Sequence, residues 1–193
     1  MSKTRVEAFT DAVIAIIMTV LVLNLDAPEG VTFASLWALR FRFIFYLASF
    51  VSLAIYWLNH HHLFQIAERI TGKVLWINIL FILCLSFFPF ATSWADDNPL
   101  ERVPQLTYGL VILLTNVLYA LLSRELIRVN GKESSLARAL PSLWKSKVTL
   151  AINMLGLAIG FFWPPAVIVL FAVSMLLWIV PDRRIEKLLN GQA

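Results

Sequence analysis

The sequence predicts an all-α membrane protein with six transmembrane helices. Of the 193 residues, 60% are hydrophobic and only 15% are charged, and the mean hydropathy is +0.78. A soluble domain carries about 25% charged residues. The apolar residues also fall into stretches that approach the roughly 20 residues needed to cross a hydrocarbon core. The six predicted spans are residues 8–25, 37–63, 73–95, 105–127, 146–163 and 165–181.

We interpret residues 1–193 as one transmembrane domain, because the sequence shows no internal repeat, low-complexity tract or extramembrane domain. The first apolar stretch follows Lys3 and Arg5, much as the apolar part of a signal peptide follows its basic start. It ends in NLDAPEG, a poor small-residue cleavage site, so we expect it to be retained as a span. This organisation leaves no soluble catalytic domain.

Proline and cysteine positions add detail to the later spans. Pro89 lies inside the third span and predicts a kink, since proline removes a helical hydrogen bond. Pro164 and Pro165 predict a hairpin turn between the fifth and sixth spans.

Cys84 is the one cysteine, so neither a disulfide nor a cysteine zinc site forms within one chain. We expect Cys84 to be a small buried hydrophobic residue.

The distribution of basic residues predicts the orientation, because Lys and Arg in short loops favour the cytoplasmic side. Six spans place both termini on the same side. Of the 16 basic residues, 13 fall on that side: Lys3, Arg5, Arg69, Lys73, Arg124, Arg128, Lys132, Arg138, Lys145, Lys147, Arg183, Arg184 and Lys187. The other side carries Arg40, Arg42, Arg102, Asp26, Glu29, Asp96, Asp97 and Glu101. We therefore predict that the protein lies in the cell membrane with both termini on the cytoplasmic side. The outer acids either concentrate cations or lie in ordinary solvated loops.

The first span carries two different faces when its residues are placed at about 100° per position. One stripe holds large apolar residues and a single hydroxyl group, and its members are Phe9, Ala12, Ile16, Thr19, Val20 and Leu23. The stripe fits either the lining of a pore or contact with lipid and neighbouring helices. Asp11 points about 140° away from Ile16. It fits either a paired carboxylate inside the bundle or an interfacial acid favoured by the helix macrodipole.

The second span ends in a cluster of aromatic and polar residues on the same side as Asp11. In YWLNHHHLF, residues 56–64, Trp57 and His61 lie four positions apart on one face. We expect a hydrogen-bonded network between the histidines and the carboxylate. Consecutive histidines on a helix point about 100° apart and do not converge on one ion. We therefore predict neither a metal site nor a bound cofactor.

Together these residues resemble the transmembrane protein 175 family, the lysosomal potassium channels and their prokaryotic relatives. Arg5, Phe9, Thr10 and Asp11 form R-x-x-x-F-T-D, which looks like the family signature R-x-x-x-F-S-D. Threonine replaces the family serine, so the hydroxyl group survives. The following AVIAIIMTVLVLNL and the tryptophan–histidine cluster also match, and the resemblance covers nearly the whole chain.

The resemblance implies a homotetrameric, potassium-preferring cation channel whose pore is lined by the first helix of each subunit. It implies no re-entrant selectivity loop, and the nearest filter-like string, TYG at residues 107–109, opens an ordinary span. Ile16 takes the position of the family's constricting isoleucine. Val20 and Leu23 match further narrow layers. Thr19 matches a hydroxyl layer implicated in cation preference.

The resemblance also implies a network that braces the pore helix from the cytoplasmic side. Its expected members are Arg5, Phe9, Thr10, Asp11, Trp57, His60 and His61. The implied partners are the lipid bilayer, three further copies of the chain and permeating monovalent cations, with K⁺ preferred over Na⁺. Nucleic acid is not among them.

Three other functions compete with a channel. The alternative of a secondary transporter for a small cation or solute lacks the usual inverted repeats, and Pro89 is the only clear helix breaker. A membrane enzyme would depend on Asp11 and the histidines, but no H-x-x-x-H, D-x-x-D or cysteine pair supports it. A scaffold subunit without activity of its own is separated from a closed channel only by a functional assay.

Overall fold

A computed structural model of the protein describes residues 2–131, 133–140 and 143–179. All secondary structure within these ranges is helical. The helices are α1 (Lys3–Leu23), α2 (Phe33–Ala38), α3 (Arg40–Ile66), α4 (Gly72–Ser86), α5 (Phe88–Asp97), α6 (Arg102–Asn130), α7 (Ser135–Ala139), α8 (Trp144–Gly160) and α9 (Ala166–Ile179).

Within the described residues, four helical segments are long and apolar enough to cross a membrane, and they are α1, α3, the α4–α5 pair and α6. They correspond to the first four predicted spans. The helix α1 begins at Lys3 rather than residue 8, and α6 extends from Arg102 to Asn130. Such differences arise because backbone hydrogen bonding continues into polar flanks that a hydropathy pattern excludes.

The fifth and sixth predicted spans correspond to α8 and α9, which are shorter, with 17 and 14 residues. The predicted end of the sixth span at residue 181 lies outside the described residues. The turn between the two helices contains Pro164 and Pro165, as predicted, and the Ala166 amide donates to the Trp163 carbonyl at 3.0 Å. The packing in this hairpin is tight, because a Cβ atom on Gly160 would lie 2.4 Å from Val167 Cγ2.

The third span is divided as Pro89 predicts. The helix α4 ends at Ser86 and α5 begins at Phe88, with Pro89 in its first turn. The Phe87 amide donates to the carbonyl of Cys84 at 3.2 Å, which tightens the end of α4. Cys84 itself is only half-buried, so the expectation of a buried cysteine is wrong.

Aromatic side chains fill the centre of the bundle, where α6 packs against α4, α5, α8 and α9. Tyr56 on α3 lies edge-on to Phe81 and Phe88, with ring centroids 5.8 and 6.2 Å away. Tyr108 on α6 meets Phe45 at 5.4 Å in the same geometry. Such edge-to-face pairs are a favourable aromatic arrangement, and here they join α3 to α4, α5 and α6.

Part of the basic set used for orientation is paired. Lys73 Nζ lies 3.2 Å from Glu125 Oε2, and Arg128 Nε donates to the same oxygen at 3.0 Å. These contacts connect the start of α4 to the last turns of α6. Lys132, Arg183, Arg184 and Lys187 lie outside the described residues.

Candidate functional site

The helix α1 has one face turned toward the other helices of the chain and one face turned away from them. It packs against α3, α4 and α5. The inward stripe is Val6, Thr10, Ile14, Ile17 and Leu21, all of which are buried. The outward stripe follows the same helical period on the other side of α1. Its large residues are exposed, with Phe9 at 55%, Ile16 at 61%, Val20 at 36% and Leu23 at 78%.

The predicted pore residues therefore share one surface. Ile16, Val20 and Leu23 lie on the outward stripe together with Thr19, which is also exposed. The Thr19 hydroxyl donates to the Ile16 carbonyl at 2.7 Å. This bond uses the hydroxyl proton and leaves oxygen lone pairs free to face a cation. The stripe is thus an apolar surface, broken by one layer of hydroxyl oxygen.

Thr10 is the inward-facing polar residue of α1, and it is fully buried. Its hydroxyl donates to the Val6 carbonyl at 2.9 Å and accepts from Asn78 Nδ2 at 2.9 Å. Asn78 Oδ1 lies 2.8 Å from His60 Nε2. Because the amide oxygen accepts there, the imidazole donates from Nε2. One directed chain of hydrogen bonds therefore joins α3, α4 and α1.

The His60 ring is held by its surroundings as well as by this bond. It is 0% exposed and stacks on Phe64, with centroids 4.4 Å apart, and on Phe81 at 6.0 Å. Among the described residues, His60 Nδ1 has no hydrogen-bond partner. The ring is therefore packed between aromatic side chains, and its one hydrogen bond fixes its direction toward α4.

Asp11 makes a second, separate contact between α1 and α3. Its carboxylate accepts from Trp57 Nε1 at 3.0 Å. The Trp57 ring stacks on His61, with centroids 6.2 Å apart, and His61 Nε2 lies 2.8 Å from Gln65 Nε2. We expected a histidine to bond the carboxylate. The hydrogen bond comes from the indole instead, because the Nε2 atom of His60 is taken by Asn78.

The expected network is only partly assembled. Arg5 is exposed, and within the described residues its side chain forms no hydrogen bond or ion pair with Asp11 or Trp57. Phe9 belongs to the outward stripe. Lys3 makes the contact at this end of α1, because its Nζ donates to the carbonyls of Gln65 at 3.2 Å and Ala67 at 3.1 Å. Lys3 thus caps the last turn of α3, where a cation is favoured.

Two contributors were missed from the sequence. Asn78 carried a usable signal, because a lone amide inside an apolar span usually faces a partner within the protein. Lys3 carried none, since its partners are backbone carbonyls. The described residues contain no group of three or more His, Cys, Asp or Glu side chains placed to hold a metal ion.

Comparison with known proteins identifies relatives that match nearly the whole chain. Residues 5–89, which include most of α1 and all of α2, α3 and α4, match the family described as the endosomal/lysosomal potassium channel TMEM175. A protein of Chryseobacterium sp. strain P1-3, named as a potassium channel, is 40% identical over 190 residues, which are 98% of this chain and 99% of the relative. The chain belongs to the TMEM175 family. The resemblance inferred from the R-x-x-x-F-T-D string and the tryptophan–histidine cluster is confirmed.

Two more proteins resemble this family member, one in sequence and one in three-dimensional structure. A protein of Streptomyces collinus, also named as a potassium channel, is 27% identical and matches 89% of this chain and 88% of its own. The crystal structure of a lysosomal potassium-selective channel TMEM175 homolog from Chamaesiphon minutus superposes with a TM-score of 0.79. It covers 92% of this chain and 96% of that chain at 22% identity. That likeness establishes the shared fold.

Proposed function

We propose that this TMEM175 family member forms a potassium-preferring cation channel, with the outward stripe of α1 lining the pore. The observation that carries the proposal is the exposure of Ile16, Val20 and Leu23 on a helix whose opposite face is fully engaged by its own subunit. The names of the full-length relatives as potassium channels support the same conclusion.

The proposed assembly is a homotetramer in the cell membrane with both termini in the cytoplasm. One chain contributes one copy of α1, so several copies are needed to enclose a pore. The helices α8 and α9 act as two short spans that complete six crossings, and their tight hairpin at Pro164 and Pro165 favours this arrangement. The excess of Lys and Arg near the predicted cytoplasmic ends favours the orientation.

In this assembly the apolar stripe acts as both constriction and gate. Four Ile16 side chains around an axis form an apolar ring, and a narrow ring of this kind excludes water and blocks ions. A small outward movement or rotation of each α1 helix wets the ring. Val20 and Leu23 add further apolar layers beyond it. The gate therefore depends on the position of α1, which its inward face controls.

Selectivity in this pore does not require a cage of backbone carbonyls. The string at Thr107–Gly109 lies inside the continuous helix α6, so it does not form a re-entrant filter. An ion passing an apolar ring loses part of its hydration shell, and K⁺ loses water at lower cost than Na⁺. The Thr19 hydroxyl oxygens replace some of these water ligands. The expected result is a moderate preference for K⁺.

Two sets of hydrogen bonds fix the position of α1 relative to α3 and α4. The Thr10–Asn78–His60 chain and the Asp11–Trp57 bond join the first half of α1 to α3 and α4. Their residues do not line the proposed pore. We assign them the role of holding the helix so that Ile16 faces the axis.

Ion flux in reconstituted liposomes tests the proposal. We would compare the wild type with Ile16→Asn under K⁺ and Na⁺ gradients, and we expect the variant to pass more cation with a lower K⁺ preference. Val22→Asn is the matched control, because Val22 is 48% exposed on the same helix but points about 120° away from Ile16.

Two results would count against the channel. If neither wild type nor Ile16→Asn passed cations in correctly inserted oligomers, the outward stripe would not line a pore. Flux that saturates with substrate or follows a proton gradient would favour a secondary transporter. An equal effect of Val22→Asn would show that the polar substitution acts on the helix in general rather than on the constriction.

A further inference from the structure

Both ends of α1 are attached to α3 by a charged side chain. Lys3 holds the first turn of α1 to the carbonyls of Gln65 and Ala67 at the end of α3. At the opposite end, the chain leaves α1 after Leu23 and reaches Asp26, which contacts Arg42 in the first turn of α3. Neither Lys3 nor Asp26 belongs to the R-x-x-x-F-T-D string, which covers residues 5–11.

Arg42 joins two segments at once. Its Nη1 lies 2.6 Å from Asp26 Oδ2, and its Nη2 lies 2.6 Å from Asp97 Oδ1 at the last residue of α5. The side chain of Arg42 is only 25% exposed, so the two carboxylates and the helices around it restrict its position. The planar guanidinium suits such a bridge, because its separate N–H groups donate in fixed directions.

The other attachment at this end of α1 is weaker. Asn24, which follows the helix, donates from Nδ2 to the Pro89 carbonyl at 3.5 Å, the long limit for a hydrogen bond. The strong polar contacts of Thr10 and Asp11 lie in the first half of the helix. The half that carries Val20 and Leu23 thus depends on its buried apolar face and on the bridge at Arg42.

We propose that Arg42 is a positioning residue, which clamps the Leu23 end of α1 through Asp26 and Asp97 and so keeps the proposed pore narrow at Val20 and Leu23. The proposal rests on the channel function proposed above. An exposed ion pair is weak and easily released, since Asp26 is 78% exposed. The bridge is therefore suited to opening and closing, whereas the buried Thr10–Asn78–His60 chain is suited to permanent attachment.

Arg42→Gln tests the clamp, and Arg40→Gln is its matched control. Arg40 lies on the same turn of α3, but its Nη1 donates to the Trp37 carbonyl and its guanidinium lies over the Phe41 ring. Backbone hydrogen exchange of residues 20–28 in lipid nanodiscs measures the attachment without any ion flux. We expect faster exchange in Arg42→Gln and wild-type exchange in Arg40→Gln.

The K⁺ flux of the same proteins in liposomes measures the consequence. We expect Arg42→Gln to raise the flux about threefold, the size that loss of the two partly exposed ion pairs to Asp26 and Asp97 supports. The K⁺/Na⁺ permeability ratio should stay at its wild-type value, because Ile16 and Thr19 remain in place. Arg42→Lys keeps the positive charge but loses the forked guanidinium, so its exchange and flux should lie between those of wild type and Arg42→Gln, which a loss of packing alone would not predict.

The outcomes separate the clamp from the channel. Unchanged exchange in Arg42→Gln, or the same change in Arg40→Gln, overturns the clamp. Faster exchange with unchanged or reduced flux in a conducting protein overturns its role in the pore. Faster exchange in a protein that passes no cation at all, with or without Ile16→Asn, supports the attachment and rejects the proposed channel function instead.

Discussion

Asp11 on α1 and Trp57 on α3 are joined by a hydrogen bond of 3.0 Å from the indole nitrogen to the carboxylate. The bond accounts for a carboxylate at the start of an apolar helix, because the acid links that helix to its neighbour. It also holds the ring of Trp57, which is 40% exposed, against the imidazole of His61.

A double-mutant cycle with Asp11→Asn and Trp57→Phe measures this bond. A hydrogen bond to a charged group contributes about 1.5–3 kcal/mol, and the partial exposure of Trp57 places the expected coupling near 1.5 kcal/mol. The measurement is chemical unfolding in detergent micelles followed by circular dichroism. Trp76→Phe is the control for loss of an indole, because Trp76 is 68% exposed. Additive effects of the two substitutions would contradict the assigned bond.

We expect the side-chain amide of Asn78 to make a large contribution to the free energy of unfolding. Asn78→Ala removes the amide that donates to the Thr10 hydroxyl, and it removes the oxygen that accepts from His60 Nε2. The side chains of Thr10 and His60 are both fully buried. The unsatisfied His60 N–H costs about 1–3 kcal/mol, and Thr10, which still donates to the Val6 carbonyl, adds less, so we expect the free energy of unfolding to fall by about 2 kcal/mol.

A matched control for this substitution is Asn98→Ala. Asn98 also donates from Nδ2, but its bond to the Trp94 carbonyl lies at an exposed site. Water replaces such a bond, so the change in unfolding free energy should stay below about 1 kcal/mol. If Asn78→Ala and Asn98→Ala lowered the free energy of unfolding equally, the buried hydrogen bonds of Asn78 would stabilise the protein no more than an exposed one.

Local patterns account for what the sequence predicted well. The apolar stretches located the first four spans, and Pro89 and the Pro164–Pro165 pair marked breaks that the structure contains. Both signals depend on residues within a few turns of one another. They required no knowledge of how the helices pack.

Contacts between distant residues account for what was missed. Asn78 and Thr10 are 68 positions apart, and Arg42 and Asp97 are 55 apart. No periodicity connects such pairs, and several amides or acids fit equally well until the helices are placed. The same reason explains why a histidine was expected at Asp11. Trp57 and His60 lie three positions apart, and only the packing of α1 and α4 against α3 assigns each of them a partner.

The α8–α9 hairpin gives a prediction about packing. A methyl group added at Gly160 meets Val167 at 2.4 Å, so Gly160→Ala forces the two helices apart or the valine out of its place. Overpacking of this kind costs about 1–3 kcal/mol, and we expect a loss of that size in the unfolding free energy. Gly72→Ala is the control, because nothing lies within 4 Å of a Cβ added there. A loss in Gly72→Ala as large as that in Gly160→Ala would contradict close packing as the cause.

The hydroxyl of Thr19 gives a prediction about selectivity. Thr19→Val keeps the shape of the side chain and removes the oxygen that is proposed to face the permeating ion. We expect the K⁺/Na⁺ permeability ratio, measured from reversal potentials in planar bilayers, to fall about twofold to tenfold, the equivalent of one lost hydrogen-bonding interaction. Thr19→Ser keeps the oxygen and should retain most of the preference.

Thr107→Val separates this effect from the loss of a helix hydrogen bond. Thr107 on α6 donates to the Val103 carbonyl at 2.9 Å, and Thr19 donates to Ile16 at 2.7 Å, so both hydroxyls bond their own helix. Only Thr19 lies on the outward stripe of α1. If Thr107→Val lowered the permeability ratio as much as Thr19→Val, the helix bond rather than a pore-facing oxygen would be responsible. A ratio that falls in Thr19→Val alone places the hydroxyl beside the ion.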